Sequence, residues 1–113
     1  MKTTLIALGL LVSLQVVAAE RTPPAEELKQ RLSGKVFALK WEGANHWRLD
    51  LRDNGYFYYN AGESKVTGTW RVEDGKLCLE SRAAGNNCND VREQDGVFFY
   101  KRLTGQVTAL EPQ

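Results

Sequence analysis

The sequence predicts an all-β antiparallel meander of about eight short strands, curled into a small barrel or curved sheet, with one N-terminal helix. Three observations predict it. Apolar and polar residues alternate with period two, as in Trp47, Leu49 and Leu51 against Arg48, Asp50 and Arg52, or Val66, Gly68, Trp70 and Val72 against Thr67, Thr69, Arg71 and Glu73. That alternation puts one face of a strand in a core and the other in water. Glycine-centred turns recur between the alternating runs, at Asp53-Asn54-Gly55, Glu73-Asp74-Gly75 and Gln94-Asp95-Gly96. Each supplies the positive φ of a tight hairpin, and links this short permit only antiparallel neighbours.

The first 19 residues carry Lys2, then an apolar run from Leu5 to Val12, then small residues up to Ala19. This is the pattern of a secretory signal peptide, with cleavage expected after Ala19. The run is too short for a membrane-spanning helix, and no Leu-x-x-Cys motif marks a lipid anchor. The expected product is residues 20–113, a single small exported domain, periplasmic or extracellular.

Within it, residues 22–33 read as a helix: Thr22 is the expected cap, Pro23 suits the first turn, and Glu26 and Glu27 favour the positive end of the dipole. Gly34 is placed to end it, and Leu28 and Leu32 share one face for docking. Strands are expected at 35–41, 47–52, 56–60, 66–73, 76–80, 89–93, 96–102 and 106–110. Closing such a meander into a barrel protects its edges.

The chain has 15 Lys+Arg and 14 Asp+Glu, and the only charge of the leader is Lys2. The mature part is therefore balanced, with its signs interspersed. Nucleic acid is a poor partner for such a surface, because that affinity rests on clustered cations. Electrostatic docking on a membrane fails for the same reason. Cys78 and Cys88 are the only cysteines, and in an exported chain the pair is expected to form a disulfide across the loop 81–87, outside the core.

Leu32-Ser33-Gly34-Lys35-Val36-Phe37, the aromatic hairpins, Gly68-Thr69-Trp70-Arg71-Val72 and Asp74-Gly75-Lys76-Leu77-Cys78 together resemble small bacterial exported proteins of lipocalin-like, or calycin-like, type. The resemblance covers most of residues 32–110 and implies a barrel with a binding role. It supplies no catalytic residues.

No nucleophile motif, phosphate loop or dinucleotide fingerprint is present, and no cofactor or metal is expected. His46 is the only histidine, and zinc needs three or four ligands. Aromatics are the more informative group. If there is a binding site, the residues expected to form it are Trp41, Trp47, Tyr56, Tyr58 and Trp70, at one open end or one face of the barrel. The competing account makes these rings packed core. The leading expectation is a non-catalytic binding protein of the bacterial envelope, for a small apolar or glycan ligand or a protein partner. The alternatives are an exported inhibitor of another enzyme, or a small hydrolase using His46 with nearby acids such as Asp50 and Asp53.

Overall fold

The computed structural model describes residues 19–41 and 46–113; residues 1–18, which hold the expected leader's apolar run, and residues 42–45 lie outside the described residues. The chain forms α1 (Ala25–Leu32), then β1 (Lys35–Lys40), β2 (His46–Leu51), β3 (Tyr56–Ala61), β4 (Ser64–Glu73), β5 (Lys76–Ser81), β6 (Gly85–Gln94), β7 (Val97–Lys101), β8 (Val107–Ala109) and β9 (Glu111–Pro112). Every strand from β1 to β8 pairs antiparallel with its sequence neighbours. The expected meander is therefore present.

Closure comes from the last residues. β8 pairs with β7, Leu110 still donates its N–H to the Phe98 carbonyl, and Glu111–Pro112 then pairs with β1 at the far edge of the sheet. One extended stretch thus changes partners at Leu110 and brings the two edges together in a nearly closed barrel. Along the seam the Thr108 hydroxyl stands in for a backbone ladder. It accepts from Lys40 N–H at 3.1 Å and donates to the Lys40 carbonyl at 3.0 Å.

Because a meander alternates direction, the β2–β3, β4–β5 and β6–β7 turns share one end of the barrel. α1 lies across that end. Leu28 and Leu32 are fully buried in the same core as Leu51, Trp70, Leu77, Val91 and Phe98. Around the rim Gly34 N–H donates to Leu51, Gly75 N–H to Pro23, and the Arg31 guanidinium to the Gly96 carbonyl while lying 4.1 Å over the Phe98 ring. The expected Thr22 cap is not used. The helix starts at Ala25, and Asp74 of the β4–β5 turn accepts the Ala25 N–H from 49 residues away. Thr22 is unavailable for capping because Arg21 and Pro23 tie that stretch, in extended form, to β6 and Gly75.

The start of the domain is fastened too. Arg21 exchanges two backbone hydrogen bonds with Glu93, and its side chain bridges Glu27 and Glu93, which Arg31 also contacts. These guanidiniums hold both carboxyls below their ordinary range. Glu20 pairs with Lys101 at 2.6 Å.

Cys78 and Cys88 form a disulfide. They are directly opposed partners in the β5–β6 ladder, and the expected loop 81–87 is shorter than the sequence suggests. β6 begins at Gly85, so Asn86 and Asn87 lie within a strand rather than in the turn. The bridge sits on the outer face beneath Arg71, whose side chain reaches Glu73, Glu80 and the Cys88 sulfur.

Candidate functional site

The end of the barrel away from α1 carries the β3–β4, β5–β6 and β7–β8 turns. Inside it is a cavity of about 540 Å³. Its floor is Leu39, Leu49 and Phe57, the inward residues of β1, β2 and β3, and its walls include Trp47, Tyr59, Val66, Leu79 and Tyr100. Neutral polar groups (Ser64, Ser81, Asn87, Asn89 and Thr104) ring the upper part, and Arg102 stands at the mouth. The room follows from side-chain size: the helix end is filled by leucines and aromatics, whereas Ala61, Ala84 and Gly85 line the open end.

The rings at this end form a chain. Tyr59 meets Trp47 edge-on at 5.0 Å, Trp47 meets Trp41 at 5.6 Å, and Trp41 meets Tyr100 at 6.2 Å. Such contacts add to burial and hold each ring in place. The Arg102 guanidinium lies over both indoles, 4.7 Å from Trp41 and 4.8 Å from Trp47, and donates to the Gln106 side chain at 3.2 Å. Asn89 donates to the Tyr100 hydroxyl at 2.7 Å. Burial pushes the Tyr59 hydroxyl up to about 12, against smaller opposing pulls from the Trp41 indole N–H and the Arg102 charge. Burial also raises Tyr100, opposed by Asn89 and Arg102. The Trp41 N–H is itself buried and faces the Tyr59 hydroxyl short of a full hydrogen bond.

The five residues expected to share a site do not converge. Trp41 and Trp47 come together at the open end. Tyr56 and Tyr58 are on the outer face, 51% and 46% exposed, and Tyr58 carries the Arg52 guanidinium 4.5 Å over its ring. Trp70 is buried at the helix end, where its Nε1–H donates to the Arg52 carbonyl at 2.7 Å. Strand alternation gives the reason: in β3 it is Phe57 and Tyr59 that point inward, and Phe57 lies opposite Gly68, whose missing side chain admits the ring. Sequence reasoning missed Tyr59, Tyr100, Asn87, Asn89 and Arg102 as a group. The one usable signal was period two counted from Phe57, which selects Tyr59.

His46 is exposed and opposite Lys40 at the start of β2. Asp50, four residues along the same outer face, is about 13 Å away at the usual strand rise and pairs with Arg52. Asp53 is in the turn at the other end. The residues of the hydrolase alternative are thus not brought together. Among the described residues, Glu73, Cys78 and Cys88 group potential ligand atoms within 4.8 Å. Their sulfurs are bonded to each other, so no thiolate is present and the set does not fit a metal. A second, outer groove of about 290 Å³ lies beside Arg48, Asp50, Tyr58 and Lys65.

Fold and site together define a small, nearly closed antiparallel barrel, plugged by a helix at one end and holding a half-open, aromatic-walled cavity at the other. No family model, no characterised protein and no solved structure matches this chain. No helix among the described residues is long and apolar enough to cross a membrane.

Proposed function

We propose that this chain is a non-catalytic exported binding protein whose ligand enters the open end of the barrel. The observation that carries the reading is the cavity of about 540 Å³ between Leu39, Leu49 and Phe57 below and Trp47, Tyr59 and Tyr100 at its sides. That volume lies within the range of small-molecule sites, roughly 300–1,000 Å³, and the lining has their usual make-up of apolar walls with few polar groups. Export is supported by the leader-like residues 1–19 and by the disulfide, a bond characteristic of oxidising compartments. The resemblance to small lipocalin-like proteins of the bacterial envelope points the same way.

The test is a fluorescence titration of the mature protein with N-phenylnaphthylamine, an apolar aromatic probe. Trp47 lines the cavity and reports directly. Saturable quenching is expected, weakened in Leu79→Phe, which narrows the cavity from one wall while leaving the helix end intact. No saturable binding, or binding indifferent to the Leu79 change, overturns the reading and turns attention to a protein partner such as an inhibited enzyme.

A further inference from the structure

We infer that the cavity is selective for an apolar carboxylate, with Arg102 holding the anionic head at the mouth and the alkyl or aryl body on the Leu39, Leu49 and Phe57 floor. The inference rests on the binding role proposed above and specifies its ligand. Its first ground is charge. Among the described residues Arg102 is the only charged side chain lining the cavity, and the other polar lining groups there are neutral. Among the described residues no carboxylate pairs with Arg102; its polar side-chain partner is the neutral Gln106 amide. A guanidinium with no carboxylate partner among the described residues keeps its capacity for a charge-assisted, two-pronged contact with a ligand carboxylate.

The second ground is geometry. Contact with Trp41 and Trp47 holds the guanidinium over both indoles, 4.7 Å and 4.8 Å from their centres. An arginine so held loses little further freedom when it binds, which favours affinity. Its charge reaches the Tyr59 and Tyr100 hydroxyls, which lie on either side of the ring chain. Tyr59 lines the cavity, where its O–H can point at an acceptor. Arg102 and Tyr59 thus make a donor pair above an apolar floor, which matches an anionic acceptor attached to an apolar body. A cationic amphiphile would meet like charge at the same place, and a neutral one would leave the guanidinium to water.

The test compares decanoate, decanol and decylammonium on the wild-type mature protein, at a pH where decanoate is ionised. Naphthaleneacetate and naphthaleneethanol form the parallel pair with an aryl body. Each carboxylate is expected to bind about tenfold more tightly than its alcohol, the scale of one charge-assisted hydrogen bond at a partly wet rim. Decylammonium is expected to bind more weakly than decanol. In Arg102→Gln the carboxylate preference should vanish while alcohol binding persists, and Arg102→Lys should restore part of it. The pair with the larger ratio identifies the body. Alcohols binding as tightly as carboxylates overturn the selectivity and leave the cavity as a binding site. Failure of every probe to bind removes both proposals.

Discussion

A methyl group at Gly68 would meet the backbone of the neighbouring strand. A Cβ there would stand 1.9 Å from the Glu80 carbonyl oxygen, 2.9 Å from its carbon and 2.9 Å from Cε1 of Phe57. Ordinary contact for a Cβ is 3.4–4 Å and values under 3.0 Å are essentially never seen, so β5 must retreat by more than about 1 Å, a large displacement in a close-packed interior. That retreat pulls on the Thr69–Glu80 and Trp70–Leu79 pairs. Overpacking costs about 1–3 kcal/mol, and each weakened backbone hydrogen bond adds about 0.5–1.5 kcal/mol. Gly68→Ala is therefore expected to destabilise by about 3 kcal/mol, a large share of the roughly 5–15 kcal/mol a domain has. Where a strand glycine is uncrowded, alanine instead stabilises by about 0.5–1 kcal/mol, so the sign itself is diagnostic. Urea unfolding followed by tryptophan emission measures it. The obstacle is backbone, so adding Phe57→Leu should not rescue the variant. A loss below about 1 kcal/mol, or rescue by Phe57→Leu, refutes the close approach of β4 to β5 at this point.

Removing the disulfide with Cys78→Ser/Cys88→Ser should lower stability by about 2–3 kcal/mol in the same assay. The far-UV circular dichroism should still report a sheet, because the bridge lies outside the core cluster. Thr108→Val deprives Lys40 of both seam hydrogen bonds and should cost about 1–3 kcal/mol, the usual cost of stranding buried polar groups; an unchanged unfolding midpoint would show the seam to be held by other contacts. Tyr59 titrates near 12 when folded and at 10.0 ordinarily, so between these values the native state holds the extra proton. Its contribution to stability is complete below the unfolded value and is lost as pH rises toward the folded one. Thermal unfolding should fall through that window, less steeply in Tyr59→Phe; identical pH profiles would refute the burial of this hydroxyl.

Much of the barrel is legible in the sequence because period two and glycine turns are local signals. Trp47, Leu49 and Leu51 face the interior as their alternation requires, and Gly55, Gly75 and Gly96 take positive φ at 90°, 67° and 80°. What is illegible is long-range. Nothing local shows that Leu110 lets the chain change partners, or that Asp74 caps a helix 49 residues earlier. Asn86 and Asn87 have turn chemistry and are nevertheless in β6, since a hairpin three residues earlier already reverses the chain. The run from Tyr56 to Tyr59 is aromatic throughout, so alternation cannot orient it, and the choice falls to the register that sets Phe57 against Gly68. Alternation also reports the face of a strand but not the end of the barrel. That is why Trp70 and Trp47, both inward, are separated by the length of the core.

The distribution of side-chain size along the barrel axis decides between a filled core and a cavity. A barrel packed only for stability would carry large apolar side chains at both ends, since each methylene buried adds about 0.8 kcal/mol. At the helix end it does: Leu28, Leu32, Leu51, Trp70, Leu77 and Phe98 interlock, and α1 seals them from water. At the other end Ala61, Ser64, Ser81, Ala84 and Gly85 take the corresponding inward or rim places, and no element of the described chain covers them. The large rings there, Trp41, Trp47, Tyr59 and Tyr100, contact one another edge-to-face and stand at the wall rather than filling the space. Their two hydroxyls stay protonated well above neutrality and so remain donors over the whole physiological range. Apolar burial is thus concentrated under α1 and thinner at the open end, the distribution that the binding role proposed above requires.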